Sequence, residues 1–596
     1  MKDIFKNKNV SDNKSVEEKS NKYDDRQTAI DEVDYDQLIC AAGEFGLYQT
    51  FLTLLTFPFY VFGVFSYFGQ LFMTEVSPNH WCRIPELEHL TVLERRTLAI
   101  PPDENGRFGY SQCKMYVANW SQVLSTGIKP NQTWATQSCQ SGWEFNKTEI
   151  PYPTISSEMG WVCDKGSYQA TAQAVFFVGS VAGGFILGWV SDRFGRLPAA
   201  VISNMIGCVA GIITIFANNF ILFSVCRFLM GISYDSCMMM TYLIVLEFVA
   251  PKYRSLMANL PFAVFYTIGA VSLPWIALAC NHWKTLSLAT SLPMALALLA
   301  PLIVPESPQW LLTKGRVDEA VGKVVTISLV NKKNVPLKLI EKFKLSANKH
   351  KGIKSENLLN LIKKPLLRKT FICLCVEYMS CMIVFDALVR SIGSLQFDFF
   401  LSFTLVSLTE FPSLLLISLI LDLTGRKWMT IICLVVCSIF SILTAFLNGG
   451  LPSVLCAVAA RFLVNICVNV ALQWGAEMIP TSVRGSAISC IHICGYIATI
   501  LSPYIVYLEN YITWLPLVIV GMIALLGAST SLILPETAGI NMPQSFEDAE
   551  VMIKEQKMFD IPCLRRKVNN SAEGAVMTAE CIKKVNSHFT LIAPIY

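Results

Sequence analysis

Ionisable side chains lie inside long apolar stretches of this sequence, where they are costly and therefore informative. Asp235, Glu377 and Glu410 are carboxylates of this kind, and His492 adds a group that titrates near neutral pH. A charged side chain at the centre of a membrane helix costs about 2.5–3.5 kcal/mol on insertion scales, so it usually has a partner or a task. An unpartnered carboxylate would attract an ammonium group, whereas an internal ion pair would make the same residue structural.

Local spacing separates two groups of these candidates. Glu410 is followed by Pro412, which lacks a backbone N–H and should loosen the helix around it. Arg390 follows Asp386 by four residues, a spacing that predicts an ion pair on one helix face and favours a structural role for both. Glu377 has no such neighbour and stays a candidate for binding.

Asp235 and His492 each share a helix face with informative neighbours. Asp235 lies on one face with Gly231 and Met238, and it could either bind a solute or pair with a basic residue. His492 precedes Tyr496 by four residues and could supply a group that changes its charge near neutral pH. A buried, neutral, hydrogen-bonded histidine is the alternative.

Aromatic rings could surround an ammonium group through their π faces. The sequence contains 12 Trp, 19 Tyr and 36 Phe residues, so most rings must serve packing. We select Tyr266 and Tyr378 as candidates for contact with a bound solute. The set from which they come also contains Tyr48, Tyr60, Phe65, Tyr67, Tyr242, Phe265 and Phe371.

The elements that must position these groups are membrane helices. The chain is 53% apolar and 15% charged, with a mean hydropathy of +0.47, so it has too few polar groups to cover a soluble domain. A helix needs about 20 apolar residues to cross a bilayer. Runs of this length predict twelve spans, near 48–72, 169–191, 198–217, 220–246, 258–280, 285–304, 370–391, 398–421, 428–447, 452–475, 486–508 and 513–534.

Basic residues orient these spans, because short cytosolic loops are enriched in Lys and Arg. The loops after spans 2, 4, 8 and 10 are basic, so we expect both termini in the cytosol. The resulting segments are an N-terminal tail (1–46), a first six-helix bundle (47–304) with a large outer loop (73–168), a lysine-rich cytosolic loop (305–369), a second bundle (370–535) and a C-terminal tail (536–596).

The loop 73–168 is polar and has the marks of an extracellular segment. Four cysteines in an oxidising compartment would form two disulfides, with three possible connectivities. These cysteines are Cys82, Cys113, Cys139 and Cys163. Three glycosylation acceptors indicate the same side of the membrane, at Asn119, Asn131 and Asn146.

The two halves contain an internal repeat. Asp192 and Glu306 are 114 residues apart, and so are Asp422 and Glu536. Acidic and basic residues recur at matching positions in each half and should meet at the cytosolic ends of the bundles. The first cluster comprises Asp192, Arg193, Arg196, Glu247, Arg254 and Glu306, and the second comprises Asp422, Arg426, Glu477, Arg484 and Glu536. We predict that they gate a conformational change; static ion pairs are the alternative.

The segments Asp192-Arg193-Phe194-Gly195-Arg196 and Asp422-Leu423-Thr424-Gly425-Arg426 resemble the loops of the major facilitator superfamily, and the resemblance spans nearly all of 36–545. It implies an all-α fold of twelve helices in two parallel repeats, with a solute site between them that opens alternately to each side.

Further segments resemble the organic cation, carnitine and organic anion transporters, and Lys114-Met115-Tyr116 with Asn119-Trp120-Ser121 resembles insect carriers for carcinine and β-alanine. The segments with the wider resemblance are Asn79-His80-Trp81-Cys82, Cys139-Gln140-Ser141-Gly142-Trp143, Pro305-Glu306-Ser307-Pro308-Gln309-Trp310 and Glu410-Phe411-Pro412. The resemblance implies that Glu410 contributes to a cation site. Tyr496 departs from it, because cation carriers typically place an aspartate there and anion and carnitine carriers an arginine.

The resulting hypothesis is a plasma-membrane carrier of small organic cations or zwitterions. An organic anion exchanger lined by Arg227, Arg390 or Arg461 is the first alternative, and a receptor that does not transport is the second. The sequence contains no phosphate-binding loop, nucleophile elbow, metal motif or basic stripe, which argues against an enzyme, a cofactor, ATP-driven pumping and nucleic-acid binding. A coupling ion is left open.

Overall fold

Twelve apolar helices dominate the computed structural model, which describes residues 33–103, 108–127, 130–131, 133–349, 358–395, 397–447, 449–540 and 542–554. Eleven are long enough to cross a membrane and one is shorter. They are α1 (Leu47–Thr74), α2 (Cys163–Phe194), α3 (Arg196–Thr214), α4 (Phe220–Glu247), α5 (Pro251–Cys280), α6 (Trp283–Ile303), α7 (Pro365–Gly393), α8 (Phe399–Thr424), α9 (Arg426–Phe446), α10 (Leu451–Met478), α11 (Arg484–Asn510) and the shorter α12 (Leu515–Ser531). The predicted fold class is confirmed. Most of both predicted tails lies outside the described residues.

Glycines allow the closest helix contacts of the first half. A Cβ added at Gly183 of α2 would lie 2.3 Å from the carbonyl oxygen of Ile232 in α4. A Cβ at Gly231 of α4 would in turn lie 2.0 Å from the carbonyl oxygen of Phe176. Small residues let helix backbones approach in this way, and the approach fixes how α4 and its acidic side chain face the second half.

Several helices are interrupted partway along their length. Helix α8 consists of Phe399–Leu408 and Glu410–Thr424, separated at Thr409, which agrees with the effect predicted for Pro412. Helix α5 contains one π turn, Phe262–Tyr266. Such irregular turns are frequent at functional sites, and these two place Glu410 and Tyr266 where the helices deviate from regular geometry.

The segment between α1 and α2 forms a small folded unit, which we call the loop domain (residues 75–162). Strand β1 (His80–Cys82) pairs with β4 (Trp143–Phe145), and β2 (Lys114–Tyr116) pairs with β3 (Thr136–Ser138), both antiparallel. Three short helices complete the unit, at Val92–Ala99, Trp120–Thr126 and Ile155–Met159. Disulfides join Cys82 to Cys139 and Cys113 to Cys163, which selects one of the three possible connectivities. Glu158 anchors the unit to α6 by accepting a 2.7 Å hydrogen bond from the indole of Trp283.

Short helices cover the opposite end of the bundle. Tyr35 donates a 2.9 Å hydrogen bond to the carbonyl of Glu247 at the end of α4. The indole of Trp310 donates a 3.1 Å hydrogen bond to the carbonyl of Asp192, which ties the segment after α6 to α2. The helices at this end are Tyr35–Gly43, Pro308–Thr313, Val317–Val330, Leu337–Lys349, Leu358–Lys363 and Phe546–Lys554. We refer to it as the charge-cluster end and to the other as the loop-domain end.

Candidate functional site

A carboxylate of the first half meets aromatic side chains of the second at the interface between the halves. Asp235 of α4 accepts a 2.9 Å hydrogen bond from the hydroxyl of Tyr496 in α11, and its other oxygen lies 3.8 Å from Nδ1 of His492. The ring centroids of Tyr234 and Tyr496 are 6.0 Å apart, and those of Tyr378 and His492 are also 6.0 Å apart. We call these five residues the Asp235 cluster.

The sequence accounts for this arrangement through small residues and helix periodicity. A Cβ at Gly495 would lie 2.5 Å from the ring of Tyr378, so the glycine allows α7 to place that ring directly on α11. Asn219 caps α4 by accepting a 2.8 Å hydrogen bond from the backbone N–H of Leu222. The four-residue spacing of His492 and Tyr496 puts both side chains on the face of α11 that meets α4.

The charge of Asp235 remains available to a ligand. No lysine or arginine forms an ion pair with it within the described ranges, and its side chain is 19% exposed. The hydroxyl of Tyr496 and the imidazole of His492 approach its two oxygens. A tyrosine hydroxyl neutralises no charge, and the imidazole does so only when it is protonated, so the cluster can present a negative group among π faces. That combination is the chemistry that recognises ammonium ions.

A second contact between the halves lies nearer the loop domain. The hydroxyl of Tyr67 in α1 donates a 2.7 Å hydrogen bond to Asp386 of α7. Arg390 donates two hydrogen bonds to the same carboxylate, at 2.7 and 2.9 Å, which confirms the ion pair predicted from their spacing. The Tyr67 and Tyr234 ring centroids are 4.9 Å apart, so this contact adjoins the Asp235 cluster. Tyr67 belonged to the aromatic set but was not selected from the sequence.

Glu410 has a cationic partner. Arg461 of α10 donates a 2.8 Å hydrogen bond to its carboxylate, and both side chains are almost completely buried. Asn465, on the same face of α10, donates to the hydroxyl of Thr409 where α8 is interrupted. The ion pair therefore holds α8 against α10 and neutralises the charge that would attract a cation. An internal ion pair of this kind was the alternative considered for Glu410. Tyr266 is also buried here, with its ring stacked on that of Phe262.

Glu377 lies apart from the Asp235 cluster. It is completely buried in α7, and one oxygen contacts the thiol of Cys381, which packs in the core of the second half. The other oxygen has no hydrogen-bond partner among the described residues. Although Glu377 directly precedes Tyr378, the structure brings only Tyr378 to the interface with α11.

The three arginines that could have lined an anion site are otherwise engaged. Arg390 and Arg461 are neutralised by acids of their own half. Arg227 is buried, donates a 3.1 Å hydrogen bond to Thr214 and lies over the ring of Phe223. None of them contacts the Asp235 cluster in the part of the chain that is described.

The repeated charged residues assemble in equivalent ways at the charge-cluster end. Glu306 accepts a 3.0 Å hydrogen bond from the backbone N–H of Arg196 and so caps the start of α3. Glu536 accepts one of the same length from the backbone N–H of Arg426 and caps α9. The separation of 114 residues thus reflects a carboxylate that closes each half by holding the first turn of its third helix.

The side chains of the two clusters differ in detail. Arg196 pairs with Asp192 at 2.7 Å, whereas Arg426 pairs with both Asp422 and Glu477 at 2.9 Å. In the first half Glu247 accepts a hydrogen bond from Ser307 instead.

Three arginines depart from the predicted clusters. Arg254 pairs with Asp36 of the N-terminal helix, and Arg484 donates to the carbonyl of Ile479. Arg193 lies over the rings of Trp189 and Phe194. In the described part of the chain these three make no ion pair with cluster acids, because neighbouring groups outside the clusters are closer.

A cavity of about 480 Å³ lies between the Tyr67–Asp386 contact and the loop domain. Its walls come from α1, α2, α7, α11 and the loop domain, and they include Glu75, Gln70 and Gln173. None of these three was singled out from the sequence. The sequence did contain a signal for each of them. Gln70 and Gln173 are amides within apolar spans, and Glu75 is an acid directly after the first span.

Comparison with known proteins identifies related transporters. Residues 130–549 match the family model described as sugar (and other) transporter. The carcinine transporter of Drosophila melanogaster is 30% identical over 543 residues, which cover 88% of this chain and 80% of that protein. Solute carrier family 22 member 3 of Mus musculus is 30% identical over 538 residues, covering 87% and 95%. The β-alanine transporter of Drosophila melanogaster is 28% identical over 552 residues, covering 87% and 90%.

A solved structure shares the architecture at low sequence identity. The inward-open xylose transporter XylE from E. coli aligns with a TM-score of 0.54 and 15% identity, covering 84% of this chain and 99% of that one. The likeness shows the twelve-helix major facilitator fold.

Proposed function

The chain belongs to the sugar (and other) transporter family, and from this premise we propose that it carries small organic cations or zwitterions across a membrane by alternating access. Relatives named for carcinine, for β-alanine and as members of solute carrier family 22 support this class of solute. Carcinine and β-alanine both carry an amino group that is protonated at neutral pH, so a carboxylate is the expected binding partner.

The Asp235 cluster is the observation that carries the proposal. An ammonium group that replaces the hydroxyl of Tyr496 would meet the free charge of Asp235 and the faces of Tyr234 and Tyr378. The acid then comes from α4, whereas the resemblance to cation carriers leads one to expect it in α11. Glu410, neutralised by Arg461, acts in this proposal as a support for α8, and Tyr266 borders that pair. Glu377 keeps a separate role inside the second half.

Polar contacts between the halves are where a solute could influence alternating access. The Asp235–Tyr496 and Tyr67–Asp386 hydrogen bonds each join one half to the other. A solute ammonium that takes the place of Tyr496 at Asp235 would remove one of these bonds and change how the halves are held. The charge clusters would contribute at the other end, where their capping carboxylates hold the first turns of α3 and α9 within each half.

We place the loop domain outside the cell and both termini in the cytosol, at the plasma membrane. The disulfides and the basic loops support this orientation. The side chains of Asn119 and Asn131 are exposed, and Asn146 is partly exposed. Glycosidase treatment should increase the mobility of the protein on a gel, and replacement of all three asparagines by Gln should remove that shift. A triple variant that still shifts would contradict glycosylation at these sites.

Uptake into cells tests the function. Cells expressing the chain should accumulate labelled carcinine or β-alanine saturably, and Asp235→Asn should lower the uptake by about tenfold or more at equal surface expression. Asp318→Asn, which removes an exposed carboxylate at the charge-cluster end, is the matched control and should leave uptake unchanged. Uptake of organic anions alone, unaffected by Asp235→Asn, would exclude the cation proposal. No uptake of any solute by protein confirmed at the surface would favour a receptor.

A further inference from the structure

The 480 Å³ cavity at the loop-domain end is separate from the Asp235 cluster. The Tyr67–Asp386 hydrogen bond and the Asp386–Arg390 ion pair lie between the two. Tyr67 contacts Tyr234 of the cluster on one side, and Arg390 lines the cavity on the other. One layer of side chains therefore divides the cavity from the proposed central site.

The titratable groups that line the cavity are mainly acidic. Glu75, Asp164 and Glu509 line it, and the cation in its wall, Arg390, is already neutralised by Asp386. His80 also lines the cavity, but burial lowers its pKa, which keeps the imidazole neutral at pH 7. A cavity with three carboxyl groups and no uncompensated basic group in the described lining becomes more negative as these groups ionise, and it then favours a positively charged occupant.

Two buried amides in the wall lack partners. Gln70 of α1 and Gln173 of α2 are each only 2% exposed, and both line the cavity. Neither the oxygen nor the nitrogen of either amide has a hydrogen-bond partner in the described part of the chain. Leaving a buried amide unsatisfied is costly, so two of them facing one cavity indicate a polar ligand that hydrogen-bonds with both.

Glu75 is placed to provide the charge. It follows the last residue of α1 and accepts a hydrogen bond from Gln169 of α2. Its carboxylate lies 2.8 Å from where a Cβ of Gly393 would be, so it touches the end of α7 in the other half. A ligand that binds Glu75 therefore contacts both halves where they meet at the loop domain.

We infer that this cavity is a second binding site for an ammonium-bearing solute, with Glu75 as its counter-ion and Gln70 and Gln173 as its hydrogen-bond partners. It rests on the proposed function, because a solute held here lies one side-chain layer from the Asp235 cluster. Loss of the Tyr67–Asp386 bond would join the two sites. Aromatic side chains complete the wall, with Trp161, Tyr507 and Tyr511 available to cover the apolar part of the solute.

Equilibrium binding of labelled carcinine to the full chain in lipid nanodiscs tests the inference. At pH 8.5, where Glu75 is mostly ionised, wild type should bind two equivalents of carcinine. Glu75→Gln should bind one equivalent, because the site in the loop-domain cavity is lost. Glu75→Asp, which keeps a carboxylate, should recover at least part of the second equivalent. Glu86→Gln removes an exposed carboxylate of the same loop domain and should bind two.

Asp235→Asn separates this inference from the proposed function. Loss of one equivalent in each of Asp235→Asn and Glu75→Gln supports two sites. If uptake fails but binding still depends on Glu75, the cavity is a binding site and the transport proposal is wrong. A wild-type stoichiometry of one or zero, or binding unchanged in Glu75→Gln, would overturn the second site.

Discussion

Asp235 and Tyr496 face each other from opposite halves, and their hydrogen bond fixes where a positive charge can bind. Bonds to charged groups contribute about 1.5–3 kcal/mol. Removal of the carboxylate should therefore cost a similar amount in affinity for an ammonium group. What binding requires is a carboxylate between the halves, and the helix that carries it matters less. Tyr496 occupies the opposite wall of the same space, so a carboxylate at either position would face the solute.

Moving the carboxylate from α4 to α11 tests this view. Asp235→Asn should lower uptake efficiency by about 10- to 150-fold, which corresponds to the lost 1.5–3 kcal/mol. Adding Tyr496→Asp to that variant restores a carboxylate from α11 and should recover a large part of the uptake. Initial uptake rates over a range of solute concentrations, normalised to surface protein, measure both effects. A double variant no better than Asp235→Asn would contradict the idea that the location of the charge suffices.

Glu75 makes binding at the loop-domain end depend on pH. Loss of contact with water and the nearby charge of Glu509 raise the pKa of Glu75 to about 8, against the smaller opposing effects of Gln169 and Arg390; Tyr152 is a further neighbour. The carboxyl group is thus mostly neutral at pH 7 and becomes ionised as the pH rises through 8.

Because only the ionised form attracts an ammonium group, the affinity of the loop-domain cavity for carcinine should rise between pH 6.5 and 8.5. Carcinine binding to Asp235→Asn, which retains only this site, should tighten by roughly 20-fold over that range, in step with the ionised fraction of Glu75. Adding Glu75→Gln should remove the change. An equal pH dependence with and without Glu75 would assign the effect to another group.

The helices show which features local sequence determines. Each predicted span corresponds to one observed helix, because about 20 apolar residues bounded by charges or glycine leave little choice of boundary. The Asp386–Arg390 pair was predictable for the same reason, since four-residue spacing is a property of one helix. Local pattern does not reveal the partner of Tyr67, 319 residues away in sequence, or the pairing of the four cysteines. These contacts depend on how whole helices pack.

Glycine packing between α2 and α4 supports the position of Asp235 and gives a test at this scale. Gly183→Ala would put a Cβ 2.3 Å from a backbone oxygen of α4, whereas Gly188→Ala in the same helix meets nothing within 4 Å. Overpacking usually costs about 1–3 kcal/mol, so Gly183→Ala should lower the melting temperature of the purified protein. Gly188→Ala should not. Equal melting temperatures would show that α2 and α4 are farther apart than described here.

At the scale of the molecule, transport requires the halves to separate at the loop-domain end. Phenylalanines of α1 and α8 pack across this interface, with ring centroids of Phe68 and Phe403 at 5.2 Å and of Phe72 and Phe403 at 4.9 Å. The hydroxyl of Tyr504 in α11 also donates a 3.3 Å hydrogen bond to Thr171 in α2. These contacts join the two halves, so a transport cycle that separates the halves at this end must break some of them.

A covalent link at this position should stop the cycle. In Thr171→Cys/Tyr504→Cys, a short bifunctional thiol reagent should join α2 to α11 and reduce carcinine uptake to background. Each single cysteine variant, treated in the same way, should keep its uptake and so controls for reaction at the native cysteines. Linked protein that still transports at the normal rate would contradict separation of the halves at this end.

Counterflow in proteoliposomes tests most directly whether the chain is a carrier with Asp235 in its solute site. Vesicles containing the purified protein are loaded with unlabelled carcinine and diluted into a trace of labelled carcinine. A carrier with an alternating site should accumulate the label transiently above its outside concentration, and Asp235→Asn should slow the accumulation by about tenfold or more. Failure of wild-type vesicles to accumulate label, or equal accumulation by wild type and Asp235→Asn, would contradict the account.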